Sequence, residues 1–250
     1  MKTKKVALIT GSGRGIGSAT ARLFAENGYA VCINYKSNSK AAAKTENLIT
    51  EQGGRCISVQ ADVSLEEDVQ NLFDIVDREL GPISVLVNNA GVLKKQCRLE
   101  DMTADRINSV LINNITGYFL CSREAIKRMS TNKGGSGGVI VNVSSGASRT
   151  GSPNEYIDYA ASKGAIDTLT KGLSLELASE SIRVNCVRPG LIYTDMHADG
   201  GEANRVERLQ SKIPMQRGGQ PHEVAEAILW LASDKSSFVT GSFLDIAGGL

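Results

Sequence analysis

The chain has 250 residues, of which 41% are hydrophobic and 26 are glycine. That is the make-up of an ordinary globular protein, long enough to bury a core without disulfide staples. A net charge of +1 leaves no cationic footprint for nucleic acid and no acidic, solvating character. No apolar run approaches the ~18 residues that would span a bilayer, so neither nucleic acid nor membrane is an expected partner. After the basic start Met1–Lys5 only Val6 to Thr10 is apolar, too little for a signal peptide. The five cysteines (Cys32, Cys56, Cys97, Cys121 and Cys186) contain no C-x-x-C pair, and the only histidines are His197 and His222. Neither a zinc site nor a disulfide framework is expected. Reduced, mostly buried thiols in a cytoplasmic protein are the expectation.

Taken in chain order, short β-branched runs alternate with longer helical patterns. Lys5–Thr10 reads as a strand, and a glycine turn leads to a helix from Gly15 to Asn27, stopped by Gly28. Ala30–Asn34 is a strand and Ser39–Gln52 a helix, with Gly53-Gly54 as its stop. Cys56–Gln60 is followed by a helix over Ser64–Leu80, with Ser64 and Glu67 spaced as a capping box. Ser84–Asn88 is a strand, Met102–Met129 mostly helix and Gly138–Val143 a strand. Tyr156–Ala178 is a helix, Ile182–Val187 a strand, Pro221–Ser233 a helix and Phe243–Ile246 a last strand. Alternation with continuously apolar strands predicts a doubly wound, Rossmann-type α/β domain. Its sheet would be parallel and seven-stranded, with helices on both faces. Even spacing and the lack of a linker predict one domain over residues 1–250. The least patterned segment, Leu191 to Gly219, reads as a lid or substrate loop. Gly134-Gly135-Ser136-Gly137-Gly138 reads as a flexible connection. It spells G-x-S-x-G, but a nucleophile elbow needs a strand before it and a helix after, the reverse of what is predicted here.

Thr10-Gly11-Ser12-Gly13-Arg14-Gly15-Ile16-Gly17 sits between the first strand and the first helix. Glycines there let the backbone approach a pyrophosphate, and the helix N-terminus offers free N–H groups. The spacing is G-x-x-x-G-x-G, and no phosphate-loop G-x-x-x-x-G-K-[ST] occurs. Gly11, Ser12, Arg14, Gly15, Ile16 and Gly17 are candidate dinucleotide contacts. The second strand ends in Asn34-Tyr35-Lys36-Ser37, with no acid to bind a ribose 2′-hydroxyl. Lys36 and Arg14 could pair with a 2′-phosphate, so Tyr35, Lys36 and Ser37 are assigned to the adenosine side and NADP(H) is preferred over NAD(H).

Tyr159 and Lys163 stand at i and i+4 on one predicted helix, hence on one face. A phenol is a poor acid–base catalyst at neutral pH, and a nearby ammonium lowers its pKa. That pairing recurs by chance. Here it comes in order after Thr10-Gly-x-x-x-Gly15-Ile16-Gly17, Asn88-Asn89-Ala90-Gly91 and Ser144-Ser145, and before Pro189-Gly190. The set resembles the short-chain dehydrogenase/reductase family over essentially the whole chain. Within it, the chain is similar to bacterial NADP(H)-dependent carbonyl reductases of the 3-oxoacyl-carrier-protein reductase and glucose 1-dehydrogenase types.

The resemblance implies a reversible hydride transfer between NADP(H) and a small carbonyl or alcohol substrate. Tyr159 would be the general acid or base, Lys163 would lower its pKa and bind the nicotinamide ribose, and Ser145 would polarise the carbonyl. Asn114 would position a relay water toward Lys163, with Asn113 as the fallback. Asp62 and Val63 would contact adenine, and Asn89, Ala90 and Gly91 the adenosine ribose side. Pro189, Gly190, Ile192 and Thr194 match the segment that holds the carboxamide. A homotetramer is implied, built through the Tyr156–Ala178 helix and the C-terminal segment Ser242–Leu250. One departure stands out. Ser145 precedes Tyr159 by 14 positions, and the family's serine usually stands one position nearer, where Gly146 is here. An extra residue in the loop from Ser148 to Asp158 accounts for it, with Ser144 and Ser148 as weaker candidates. His197 reads as a solvated loop residue, His222 as structural, and Lys94-Lys95-Gln96-Cys97-Arg98 as a surface charge run. The rival function is a non-catalytic dinucleotide-binding regulatory protein on the same fold. The substrate itself is not written in these residues.

Overall fold

The computed structural model describes residues 5–250, so the reading of the Met1–Lys4 segment lies outside the described residues. Seven strands form one parallel sheet: β1 (Val6–Ile9), β2 (Ala30–Tyr35), β3 (Arg55–Gln60), β4 (Ile83–Asn88), β5 (Gly138–Val143), β6 (Ile182–Pro189) and β7 (Phe243–Ile246). Their spatial order is β3-β2-β1-β4-β5-β6-β7. The chain winds outward from β1 to β3, then crosses back to lay β4 on the other side of β1. The crevice at the C-terminal ends of β1 and β4 is therefore the topological switch point, where such sheets bind ligands.

The helices cover both faces. Three belong to the first half: α1 (Gly15–Glu26), α2 (Ser39–Glu51) and α3 (Glu66–Glu79). The second half supplies α4 (Ala104–Leu111), α5 (Gly117–Met129), the short α6 (Ala147–Thr150), α7 (Ile157–Glu176), the short α8 (Met196–Asp199) and α9 (Arg205–Leu209), and α10 (Pro221–Ala232). The period of two along β1 sorts the core. Val6 and Leu8 join Leu72, Phe73 and Val76 of α3 and Cys121 and Met129 of α5 on one face. Ala7 and Ile9 join Phe24 of α1, Ile49 of α2 and Ile228 of α10 on the other.

Several sequence expectations need correction. In β4 the register slips: Val6 lies against Ile83 but Ala7 against Val85. The skipped residue is Ser84, whose hydroxyl accepts from the Val6 N–H at 3.1 Å and donates to the Val6 carbonyl at 3.0 Å. A bulge satisfied by its own side chain explains a polar residue in an apolar strand. The Ser64–Glu67 capping box does not form. α3 begins at Glu66 with Leu65 as its cap, and the Ser64 hydroxyl donates instead to Asp62 Oδ1 at 2.7 Å. Glu66, Glu67 and Asp68 in the first turn supply the negative charge that complements the helix dipole. The long helix over Met102–Met129 is interrupted by a π-helical turn over Ile112–Thr116. The Gly134–Gly138 tract is a close-packed turn, not a flexible connection. A Cβ on Gly135 would come within 2.4 Å of the carbonyls of Arg128 and Met129. Gly134 and Gly137 also have φ of +85° and +78°, conformations that glycine adopts without strain.

Candidate active site

The glycine turn after β1 is held from three sides. Asn34 at the end of β2 accepts from the Gly11 N–H at 3.2 Å and donates to the Ala61 carbonyl at 3.1 Å. The Thr10 hydroxyl accepts from the N–H groups of Asn89 (2.9 Å) and Ala90 (3.0 Å). Asn89 Nδ2 returns two bonds, to the carbonyls of Thr10 (2.9 Å) and Gly11 (3.1 Å). Gly11 has φ +61°, and a Cβ there would sit 2.9 Å from Ala90 Cα. The turn is thus pressed against the Asn89-Ala90-Gly91 segment. Ser12 is fully buried and its hydroxyl donates to the Ile9 carbonyl at 2.7 Å, so it braces the turn from within. No side chain caps the N-terminus of α1, and its first turn carries no acid. Those N–H groups, at Gly15, Ile16 and Gly17, form the donor set that a pyrophosphate fits.

The two cations expected to stand open for a 2′-phosphate are both engaged. Lys36 Nζ lies 2.7 Å from Asp62 and 3.1 Å from the Asn113 side-chain oxygen. Burial works upward on the Asp62 carboxyl, but hydrogen bonds from Lys36 and Ser64 outweigh it and hold the group below its ordinary range. Arg14 pairs with Asp199 of α8 and, at 3.8 Å, with Asp195. Tyr35 is half-buried and Ser37 exposed at the end of the same strand, and Val63 packs where a Cβ on Gly117 would come within 2.8 Å.

Across the switch point, β5 leads into Ser144 and Ser145. The Ser144 hydroxyl donates to the Lys163 carbonyl at 3.1 Å and is buried. Ser148 donates to the Ser145 carbonyl at 2.8 Å. The Ser145 hydroxyl accepts from the Ala147 N–H at 3.1 Å and lines the same cavity as Tyr159, despite the longer spacing. The intervening loop turns sharply through positive φ at Gly151, Ser152 and Asn154. Tyr159 sits in the first turn of α7. Its own N–H donates to Asp158 Oδ1 at 2.9 Å, and Arg106 of α4 clamps Asp158 Oδ2 at 2.8 Å.

Lys163 stands one turn on, its Nζ 5.7 Å from the Tyr159 ring centre. That ammonium is turned to the Val143 carbonyl (2.8 Å) and the Tyr118 hydroxyl (3.2 Å). Burial raises the Tyr159 phenol above its usual value, and the neighbouring Ser145 hydroxyl only partly offsets it. The expected lowering by the ammonium is absent because Lys163 points elsewhere. Burial also pulls Lys163 down to about 8 against the upward pull of Cys186 and Asp167.

Asn114 is fully buried in the π-helical turn. Its amide donates to the Val92 carbonyl (3.0 Å) and to Ser162 (3.1 Å), and its oxygen accepts from the Val92 N–H at 2.7 Å. The side chain therefore ties the loop after β4 to α7. Asn113 points the other way, to the Ser109 carbonyl and Lys36.

Pro189 ends β6 and Gly190 follows it. The Pro189 carbonyl accepts from Gly146 at 2.9 Å, and a Cβ on Gly190 would lie 2.9 Å from Ala247 Cα. Ile192 bridges to Gly219, and Thr194 lies 3.4 Å from where a Gly15 Cβ would be. His197 is half-buried, with Nε2 3.0 Å from the Ile192 carbonyl, so it is not the solvated residue expected. Together these elements wall a cavity of about 680 Å³, lined among others by Ser145, Tyr159, Lys163, Thr194, His197 and Leu250. Among the described residues no cluster could hold a metal ion, and no helix is long and apolar enough to cross a membrane.

Sequence reasoning missed Asn34, the Arg106–Asp158 clamp and Tyr118. Each acts through a partner distant in sequence, so no local pattern marks it. Comparison with known proteins agrees with the geometry. The family model described as enoyl-(acyl carrier protein) reductase matches residues 11–250. The chain is 63% identical to an uncharacterized oxidoreductase, YgfF, of Escherichia coli K12, over 98% of its own length and 99% of that protein's. It is 37% identical to glucose 1-dehydrogenase 2 of Bacillus subtilis, with 99% and 95% covered. A crystal structure of a short-chain type dehydrogenase/reductase from Mycobacterium marinum superposes with a TM-score of 0.92 at 35% identity, covering 98% of this chain and 94% of that one.

Proposed function

The chain belongs to the short-chain dehydrogenase/reductase family of nicotinamide-dependent oxidoreductases, and on that premise we propose that it interconverts a carbonyl compound and its alcohol with NADP(H). The dinucleotide, when bound, supplies or takes up the hydride. Tyr159 donates a proton to the carbonyl oxygen in reduction and removes one from the alcohol in oxidation. Ser145 donates to the same oxygen as charge develops on it. Lys163 keeps the phenol's proton exchangeable and binds the nicotinamide ribose, while Asn114 braces the relay beside it. The observation that carries this reading is that Ser145, Tyr159 and Lys163 line one cavity, with Lys163 one helical turn from Tyr159.

Preference for NADP(H) is supported by the lack of an acid in Asn34-Tyr35-Lys36-Ser37. A 2′-phosphate would take Lys36 from Asp62. Gly11, Gly15, Ile16 and Gly17 receive the pyrophosphate, Asp62, Val63 and Asn89 to Gly91 line the adenosine side, and Pro189, Gly190, Ile192 and Thr194 take the carboxamide. We read residues 1–250 as one catalytic domain, with 191–219 as the substrate lid. The lid is tied down by Arg205 to Glu155 at 3.0 Å and by Arg14 to Asp199. Exposed Phe119, Leu175 and Phe238 support assembly, for which we propose a cytoplasmic homotetramer. The test is loss of NADPH absorbance against a panel of ketones and aldehydes, repeated with NADP+ and alcohols. Cofactor binding without turnover of any compound would point to a non-catalytic binding protein instead.

A further inference from the structure

The geometry points to Tyr118 of α5 as a positioning residue that holds the Lys163 ammonium in place and in its charged form. Tyr118 is 1% exposed, among the largest side chains so completely buried. Its hydroxyl donates to the Val143 carbonyl at 2.8 Å and accepts from Lys163 Nζ at 3.2 Å. Lys163 also donates to that carbonyl at 2.8 Å, and its Nζ stands 5.1 Å from the Tyr118 ring centre. An ammonium has three N–H donors. Two are spent on this triangle, which leaves one for the ribose side of the cavity. The inference rests on the proposed role of Lys163.

Three elements bring titratable groups near the ammonium. From α5 come Tyr118 and Cys121, from α7 Tyr159 and Asp167, and from β6 Cys186. Asp167 is held by Arg188 at 2.9 Å, and β5 offers Lys163 only a carbonyl. Among the described residues no free carboxylate touches the amine, and burial works against its charge. The Tyr118 oxygen is, among the described residues, the one side-chain acceptor bonded to it. An acceptor hydrogen-bonded to the charged form favours that form.

Tyr118→Phe keeps the ring and removes the acceptor. The Val143 carbonyl still receives Lys163, so it keeps a partner while one ammonium N–H loses its acceptor. The readout is the titration of Lys163 in ligand-free protein carrying 13C-labelled lysine, with the resonance identified by its loss in Lys163→Met. Lys163 in Tyr118→Phe should lose its proton about one pH unit lower than in the unaltered protein, a tenfold change in the ammonium-to-amine ratio. The alkaline limb of carbonyl reduction should move down by a similar interval. Tyr118→Met, which also lacks the hydroxyl, serves if the Phe variant does not fold and should shift the same way. An unchanged Lys163 titration in either folded variant overturns the proposal. The titration is read without turnover, so a chain that reduced no carbonyl would defeat the proposed function and leave this result standing.

Discussion

Arg106→Met tests how α4 fixes the start of α7. In the structure the Arg106 guanidinium is mostly covered, and the Asp158 side chain is only 2% exposed. Two bonds join them, at 2.8 and 3.3 Å, and a third runs from Arg106 to the Lys95 carbonyl at 2.5 Å. Asp158 Oδ1 in turn accepts from the Tyr159 N–H. Methionine keeps most of the stem and leaves Asp158 without its cation. Removing one partner of a buried pair costs roughly 3–5 kcal/mol, against about 0–1 kcal/mol for an exposed pair. Equilibrium urea unfolding at fixed protein concentration, followed by the single Trp230, should therefore show a loss in the first range. Adding Asp158→Asn should recover a large part of it, because the stranded charge disappears while an oxygen remains for Tyr159. A loss below about 1 kcal/mol, or no recovery in the double variant, would refute the account of the clamp.

Three further outcomes follow from the same contacts. Ser145→Ala should lower kcat by about 10²–10³, as removal of a donor to a developing oxyanion does, whereas Ser144→Ala should cost stability and leave kcat within a few-fold; steady-state kinetics and thermal melts of the two variants separate the roles. Lys36→Ser should weaken NADPH by about tenfold or more while leaving NADH nearly unchanged, since an ion pair with a phosphate is worth on the order of 1.4 kcal/mol or more; calorimetric titration with both cofactors checks it, and equal weakening contradicts the 2′-phosphate assignment. Lys163 is depressed to about 8 by burial, so the unfolded chain holds more protons there than the folded one between that value and ~10.4, and this group's contribution to stability rises with pH across that window. Lys163→Met should consequently be more stable than the unaltered protein at pH 7, with the advantage shrinking as pH climbs through the window; a pH-independent difference would argue against a burial-depressed amine.

The sheet was legible because its strands are buried on both faces and read as unbroken apolar runs. Ala7-Leu8-Ile9 and Val85-Leu86-Val87 are such runs. What escaped was backbone register. The bulge at Ser84 and the π-helical turn at Asn114 each add a residue to a regular element, and no periodicity marks one extra residue. The Ser64–Glu67 spacing misled because a stronger local partner, Asp62, took the serine hydroxyl. At the site, Tyr159, Lys163 and Ser145 were legible as residue types at characteristic positions. Their electrostatics were not. The Lys163 ammonium is turned to the Val143 carbonyl and to Tyr118, the latter 45 residues earlier in the chain. Lys36 and Arg14 looked like open cations because Asp62 and Asp199 reach them only in the folded chain.

Tyr159→Phe probes the central claim most directly. The variant loses one hydroxyl and should bind NADPH as the unaltered protein does, measured by fluorescence titration. Single-turnover reduction of the best ketone from the panel should fall by about 10²–10⁴, the contribution of a positioned general acid. Reduction at the original rate with cofactor binding intact would contradict proton transfer by Tyr159, and the reading of the site would fall with it.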